Sequence, residues 1–483
     1  MYGQAAICAP AGCRIDNKEY FIIMYRIDFQ HPVSIHFIGI GGISMSGLAS
    51  VLMKEGFTVT GSDSRRSRLT EQLETQGAVI SCPQSADNIR DESDVVVYTA
   101  AVHPDNPEFA EALRRGKPML TRAQLLGQIM DNYSNSIAVS GTHGKTTTTS
   151  MLACILLAAK LDPTVSVGGI LKEIGGNIRV GSSQNFITEA CEYTNSFLSL
   201  TPKIGLILNV DADHLDFFKD LEDIRHSFHR FAKNIRKDGV LVINGQIPRL
   251  AELTEGIEAS VVTYGTKNSN YYPVNISYDD FGNGSFDLMH SGRNLGRFSL
   301  NVPGEHNILN ASAAIAAADL QGISMEACRE GLLSFFGADR RFQKKGSLKK
   351  GVTIIDDYAH HPTEIRATLN TAGKYPHKLI WCVFQPHTFS RTKALMSDFA
   401  EALSAADRVV LADIYAARET DNLGISSDTL RQHIANLGTD AWYFPTFAQI
   451  EDFLKKNLAE GDLLITMGAG DVVKVGEELL GGD

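Results

Sequence analysis

Gly141-Thr142-His143-Gly144-Lys145-Thr146-Thr147 stands between an apolar run, SIAVS at 136–140, and an apolar stretch from Ser150 to Lys160. In a strand–loop–helix setting, such a run turns backbone N–H groups and a helix N-terminus toward an anion. Lys145 can then reach the β- and γ-phosphates of a nucleoside triphosphate, and the Thr146 hydroxyl can bind Mg²⁺. The run departs from GxxxxGK[ST], because position 139 is Val. Without a ligand, the same residues would serve as a helix cap rich in turn-forming threonines.

Two further polar positions follow apolar strand-like runs. Glu189 closes NFITEA, and His214 lies just past IGLILNV, in NVDADHLD. A carboxylate and an imidazole at strand ends beside a phosphate loop can hold Mg²⁺ between phosphates and a substrate carboxylate. Each alone is more often a solvated polar residue. Earlier in the chain, Gly39-Ile40-Gly41-Gly42-Ile43-Ser44 resembles a dinucleotide turn, with Asp63 about 20 residues on. Its third glycine position is Ser44. The turn suits a pyrophosphate with Asp63 on a ribose hydroxyl, whether for a nicotinamide cofactor or for a nucleotide diphosphate without hydride chemistry. A glycine turn that merely permits close packing is the bland alternative.

The elements that must position these residues alternate as in a doubly wound α/β fold. Strand VSIHFIG, the glycine turn, a helix over 48–55 and strand FTVTGSD form a first β-α-β unit; VVVYTA (95–100) and a helix over 106–115 extend it. SIAVS, the second loop and a helix over 150–160 begin a second unit. Between 261 and 302, alternating segments broken by Asn/Gly turns suggest an antiparallel insert. A helix over 307–320 follows VPGEHN. From Gly337 a third alternation runs through VTIID, a helix near 361–373, KLIWCVF, a helix near 391–404, RVVLAD and DLLITMG. The fold class expected is α/β in three domains. These are a Rossmann-like N-terminal domain (24–123), a central P-loop ATPase domain with a mostly parallel sheet (124–336), and a Rossmann-like C-terminal domain (337–483).

Composition fits a globular chain and narrows its partners. The 483 residues are 43% hydrophobic and 21% charged, with formal net charge −11. No long basic block occurs, so a large nucleic-acid surface is excluded. The longest unbroken apolar run, Met151 to Ala159, is far short of a bilayer span. Seven cysteines (8, 13, 82, 154, 191, 328, 382) form no CxxC and no disulfide ladder, which points to a reduced, cytoplasmic protein. Residues 1–23 show no strand or helix period and no signal-peptide pattern. Met24 opens the segment leading into the first strand, so 1–23 read as an extension and Met24 as the physiological start.

Taken together, GIGGISMSG, AVSGTHGKTTTT, EACEY, NVDADHLD, VPGEHNILNASAA, DRRF, DDYAHHPTE, FQPHTFSRT, ADIYAARE and TMGAGD resemble the Mur ligase family in order and spacing over residues 24–483. The resemblance implies an ATP-dependent, ADP-forming ligase of peptidoglycan precursor synthesis. The His in GTHGKT points to the branch that adds L-alanine to the lactyl carboxylate of UDP-N-acetylmuramate through an acyl phosphate. The first domain would hold the UDP-sugar through Gly39, Gly41, Gly42, Ser46 and Asp63, with Glu192 of the central domain also on that ligand. Gly141, Thr142, His143, Gly144, Lys145, Thr146 and Thr147 would hold ATP, with Asn307 and Asn310 at the adenine and Arg341 and Asp357 reaching in from the third domain. Mg²⁺ would sit at Thr146, Glu189 and His214. Tyr358, His360, His387 and Arg391 would hold the amino acid. Lys145, Glu189, His214, Arg341 and His360 would carry catalysis. By spacing alone, His360, His361 and His387 read equally well as capping or surface histidines. The resemblance implies a monomer or homodimer with small-molecule substrates. The alternatives are a recycling ligase of the same family that attaches a whole peptide, an NAD-dependent oxidoreductase built on the first turn, and a non-enzymatic nucleotide-binding regulator.

Overall fold

A computed structural model describes residues 25–215, 217–417 and 419–482; residues 1–23 and Met24, on which the reading of an extension and a start rests, lie outside them. Three sheets follow one another along the chain. The first contains β1 (Ser34–Ile38), β2 (Thr58–Ser62), β3 (Val79–Ser81), β4 (Val95–Tyr98) and β5 (Met119–Thr121). All are parallel in the order β3-β2-β1-β4-β5, so the glycine turn after β1 opens where the strand order reverses.

The central sheet takes β6 (Asn135–Ser140), β7 (Thr164–Leu171), β8 (Gly176–Arg179), β9 (Asn185–Glu189), β10 (Ile204–Ile207), β11 (Val240–Asn244), β12 (Ser260–Tyr264), β13 (Tyr271–Tyr278), β14 (Asn283–His290) and β15 (Arg293–Pro303). Their order is β15-β14-β13-β12-β11-β10-β6-β9-β7-β8. The segment expected as an antiparallel insert is part of this sheet: β12 runs parallel to β11, and β13–β15 continue it as an antiparallel meander. The phosphate loop leaves β6 between β9 and β10, so Glu189 and the segment after β10 flank it from either side. The third sheet contains β16 (Gln343–Ser347), β17 (Thr353–Asp357), β18 (Ile380–Phe384), β19 (Arg408–Leu411), β20 (Asp440–Tyr443) and β21 (Leu463–Met467), ordered β16-β17-β21-β18-β19-β20 with only β16 antiparallel.

Two helices begin earlier than the apolar pattern suggests. The first spans Ile43–Lys54 and the second Lys145–Ala158, so each starts at its glycine turn. The helix expected over 391–404 is two, Phe389–Ala394 and Met396–Leu403, broken at Leu395. Helix Lys145–Ala158 is buried along its length from Thr148 to Leu156 and packs on helices Glu305–Leu320 and Met325–Ser334. No helix of the described residues is long and apolar enough to cross a membrane.

The first two domains share a core. Helix Arg122–Asp131 is started by a capping box in which Thr121 and Gln124 exchange bonds, and it buries Leu125, Ile129 and Met130. These join Tyr133, Phe186, Phe197 and Phe231 in one apolar cluster. Full burial of each such side chain contributes roughly 1.5–3 kcal/mol. Gly127 lies in the same helix, directly against the backbone carbonyl of Ser199. A Cβ there would fall deep inside the Ser199 oxygen, and a backbone atom cannot swing aside as a side-chain tip can.

Gly127→Ala is therefore expected to destabilise the protein. The gain in helix propensity is about 1 kcal/mol, whereas overpacking costs about 1–3 kcal/mol and here meets rigid backbone. Urea unfolding of the variant should begin at lower denaturant than the parent. A later transition would mean that the helix does not seat the first domain as described.

Candidate active site

Gly141 and Gly144 have φ of +142° and +86°, the left-handed half of the map that lets β6 turn tightly into its helix. Gly144 is the N-cap and supplies no side-chain bond, so the first-turn amides are left for another acceptor. A Cβ at Gly144 would come within 2.7 Å of Asn310 Oδ1, so the loop and the helix beginning at Glu305 touch here. His143 is fixed from both sides by Asn209, whose Oδ1 accepts its N–H at 2.8 Å and whose Nδ2 donates to its carbonyl at 2.9 Å.

Lys145 curls back over the loop. Its Nζ donates to the carbonyls of Gly141 (2.6 Å) and Thr142 (3.0 Å) and to Glu192 Oε2 (2.9 Å). Burial opposes the lysine charge, but Glu192 outweighs it and holds the pKa above the ordinary value. Glu192 thus stands over the phosphate loop, in contact with Lys145. His214 Nε2 lies 3.8 Å from Glu192 Oε1, and its ring packs on Tyr193. Glu189 Oε1 accepts the Gly168 N–H at 2.5 Å. Thr146 is nearly buried, beside Gly169 of the strand that also presents Gly168. A hydroxyl, a carboxylate and an imidazole around one loop are donors that fit Mg²⁺.

In the first domain, Gly39, Gly41, Gly42 and Asp63 line one open cleft of about 650 Å³. Asp63 Oδ2 accepts the Gly41 N–H at 2.9 Å and so stiffens the turn. Ser46 does not face this cleft; its Oγ turns inward and donates to Ile43 O at 3.0 Å.

The third domain closes on the loop from the other side. A cavity of about 300 Å³ between the two domains is lined by His143, Thr147, Asn307, Asn310, Arg341 and Asp357 among others. Asn310 Nδ2 donates to Asn307 Oδ1 at 3.0 Å, and Asn307 Nδ2 to Pro303 O at 2.7 Å. Asp357 accepts N–H bonds from Phe342 and Ala359, yet burial raises its pKa to about 6.

Glu364, which the sequence did not single out, joins the domains. It lies 3.2 Å from His143 Nδ1, 3.3 Å from His360 Nδ1 and 3.7 Å from Arg341 Nη1. Asp211 approaches the other nitrogen of His143 at 3.5 Å and accepts the Thr363 hydroxyl at 2.7 Å. Burial works against a charge on His143, but Asp211 and Glu364 prevail and hold its pKa up at about 9. His143, Asp211 and His361 also place one possible metal-ligand atom each within 4.8 Å of one another. A cationic imidazole has no free lone pair, so the pairing seen here is ionic. His361 meets the plainer of its two readings, capping its helix through the Thr363 N–H and reaching Ala212 O across the interface. The signal for Glu364 was its i+4 spacing from His360.

Arg391, His387, His360 and Tyr358 do come together. Arg391 gives Nε and Nη2 to Asp213 Oδ1 (3.2 and 2.9 Å), across the domain boundary, and Nη1 to His387 Nδ1 at 3.1 Å. Three of its five N–H groups are thereby used, which leaves one on each terminal nitrogen. Because guanidinium only donates, His387 Nδ1 must accept, and its proton resides on Nε2. Burial, His360 and Arg391 bring the pKa of His387 down to about 4. Burial also lowers that of His360, against the pull of Glu364. His360 Nδ1 is 3.0 Å from Tyr358 O, an acceptor, so Nδ1 carries the proton and Nε2 the lone pair. Tyr358 offers its ring to the guanidinium groups of Arg340 and Arg341.

Three Mur ligase models match the chain: the family's catalytic domain over residues 34–134, its middle domain over 139–318 and the glutamate ligase domain over 340–470. Proteins named UDP-N-acetylmuramate--L-alanine ligase from Agathobacter rectalis and Lachnospira eligens are 59% and 57% identical to it, each across 95% of this chain and 100% of the relative. Among solved structures, UDP-N-acetylmuramate-alanine ligase from Thermotoga maritima has a TM-score of 0.76 at 31% identity, covering 93% of this chain and 98% of its own. A murein peptide ligase from Psychrobacter arcticus shares the fold, with a TM-score of 0.66 at 24% identity and coverage of 93% and 98%.

The His143 cation gives a pH signature. Its pKa is raised from 6.5 to about 9 by folding, so its contribution is complete below about pH 6.5 and is lost as pH rises through about 9. A shift of that size is worth about 3 kcal/mol. The melting temperature of the parent should fall between pH 7 and 10 more steeply than that of His143→Gln. Parallel curves in differential scanning calorimetry would show that the ion contacts to Asp211 and Glu364 contribute nothing.

Proposed function

The chain belongs to the Mur ligase family, and on that premise we propose that it joins L-alanine to the lactyl carboxylate of UDP-N-acetylmuramate with conversion of ATP to ADP and phosphate, a cytoplasmic step of peptidoglycan precursor synthesis. The observation that carries this reading is the assembly around one phosphate loop of a glycine-turn cleft on one side and an arginine with two histidines on the other. The identity with relatives named for that reaction supports the choice of substrates.

The chemistry follows from the charges. A carboxylate is a poor acyl donor, because its oxygen leaves poorly. Phosphorylation by ATP makes it an acyl phosphate, and the alanine amine then displaces phosphate through a tetrahedral intermediate. The first step brings two anions together, and Lys145 and Arg341 neutralise their repulsion. Thr146, Glu189 and His214 would hold Mg²⁺, which when bound supplies further positive charge to the same oxygens. Glu192 holds Lys145 over the loop, where a bound phosphate would compete for it. The two unused N–H groups of Arg391 form a forked pair suited to the alanine carboxylate. His360 is neutral with Nε2 open, which makes it the candidate to take the proton from the attacking amine. Water would hydrolyse the acyl phosphate, and the domain contacts through Glu364, Thr363 and Arg391 keep the third domain over the loop.

The decisive assay is ADP release with each substrate omitted in turn. Release should require UDP-N-acetylmuramate and L-alanine together. A tripeptide that replaces alanine more effectively would transfer the chain to the peptide-attaching branch. Release with ATP alone would leave the ligase reading without support.

Lys145→Ala should abolish ligation while UDP-N-acetylmuramate affinity, measured by calorimetry, changes less than tenfold (about 1.4 kcal/mol), since the glycine-turn cleft shares no partner with Lys145. Arg391→Lys should lower the alanine-dependent kcat/KM by one to two decades, because lysine keeps the charge but loses the fork, a loss of about 1.5–3 kcal/mol. ATP and UDP-sugar dependence should change much less. Equal damage to all three would make Arg391 a closure residue through Asp213, not an alanine ligand.

A further inference from the structure

Arg122 is the first residue of helix Arg122–Asp131 and follows β5 directly, so it stands at the carboxyl end of a parallel strand, where α/β sheets bind ligands. It is partly buried, yet no carboxylate forms an ion pair with it among the described residues. Its one hydrogen bond is to a neutral hydroxyl, Nη1 to Ser44 Oγ at 3.3 Å. Two other partly buried arginines are compensated, Arg391 by Asp213 and Arg340 by Asp356. A buried charge without a counter-ion is costly, and burial lowers the pKa of Arg122 accordingly.

Its surroundings indicate what the missing anion is. Arg122, Ile43 and Ser44 line a cleft of about 390 Å³ that runs on to Glu189 and Cys191 beside the phosphate loop. Ile43 and Ser44 open helix Ile43–Lys54, whose N-cap, Gly42, makes no side-chain bond, so the amides of that first turn point into the same space. Gly42 also borders the neighbouring cleft around Asp63. Gly42 and Ile43, adjacent in the chain, thus line one cleft each, and Arg122 lines the second beside Ile43 and Ser44. A uridine diphosphate sugar with its nucleoside at Asp63 and its carboxylate near Lys145 must pass its diphosphate by these residues.

We propose that Arg122 is the cation that binds the diphosphate of the uridine nucleotide donor, anchoring it at the seam between the first and central domains. The assignment rests on the donor named under the proposed function and adds the residue that reads its charge. Guanidinium suits the role, because its planar fork meets two phosphate oxygens at once. The lactyl carboxylate is the competing anion.

The test compares Arg122→Ala and Arg122→Lys with the parent by titration calorimetry against UDP-N-acetylmuramate, UDP-N-acetylglucosamine, which keeps the diphosphate but lacks the carboxylate, and ATP. Arg122→Ala should lose tenfold or more in affinity for both uridine ligands by similar factors, Arg122→Lys should lose less, and ATP binding should hold. Loss confined to UDP-N-acetylmuramate would assign Arg122 to the carboxylate and overturn the proposal, as would unchanged binding of both. If the parent bound UDP-N-acetylglucosamine but not UDP-N-acetylmuramate, the donor reading would fail while the diphosphate assignment stood. Thermal unfolding without ligand separates a structural role. An uncompensated charge contributes nothing to the fold, so both variants should melt at or above the parent's temperature. Lost binding together with a lower melting temperature would make Arg122 a structural residue and overturn the assignment.

Discussion

A helix whose first turn has no cap, entered through two glycines that only a left-handed backbone satisfies, fixes where every other part of the central domain must be. The unpaired amides at Thr146 and Thr147 want an anion, and Lys145 supplies the charge that makes the anion's position exact. That lysine cannot stay buried without compensation, which is why Glu192 stands over it at the end of the segment following β9. Strand order then places Glu189 and the 208–214 segment on either side, because β9 and β10 are the neighbours of β6. One demand for an anion at one helix end thus organises the carboxylates and imidazole around it.

The same segment after β10 also fastens the third domain. Asp211 accepts from Thr363, the carbonyl of Ala212 accepts from His361, and Asp213 holds Arg391. Three consecutive residues of the central domain therefore reach three side chains of the third, and His143 of the phosphate loop reaches a fourth, Glu364. The cavity lined by Asn307, Asn310 and Arg341 and the cluster of His360, His387 and Arg391 both adjoin this seam. Opening it would break ion contacts of buried groups, each of which is costly to leave unpaired.

The sequence made the three alternations legible wherever strands were apolar throughout, as in SIAVS or KLIWCVF, because strands covered on both faces must read that way. The meander after β12 was visible as alternation and Asn/Gly turns, but its attachment to the central sheet was not, since pairing between β12 and β13 rests on a single contact at Tyr264 and Tyr271. Helix starts were read late because Lys145 to Thr149 are polar, although burial of Thr148 and Thr149 makes them part of the packed helix. The glycine loops announced themselves through local spacing. Asp211, Asp213, Glu364 and Arg122 did not, because each acquires its meaning from a partner in another part of the chain. Glu192 carried a local motif, yet only the fold puts it on Lys145.

Arg391 shows why such distant partners matter to the chemistry. An isolated arginine in a third-domain site would bind any carboxylate in several orientations. Asp213 occupies the side edge of the guanidinium and His387 one hydrogen of Nη1, so one N–H remains on each terminal nitrogen. Asp213 belongs to the central domain, so that arrangement exists only when the domains are together. The histidines follow from the same arrangement. Burial first, and the Arg391 cation with it, lower the pKa of both imidazoles, and His360 adds to this at His387. Carboxylate recognition, a neutral base and domain closure are in this way one electrostatic arrangement. On the proposed function, the amino acid would be oriented and deprotonated only in the state that also covers the phosphate loop.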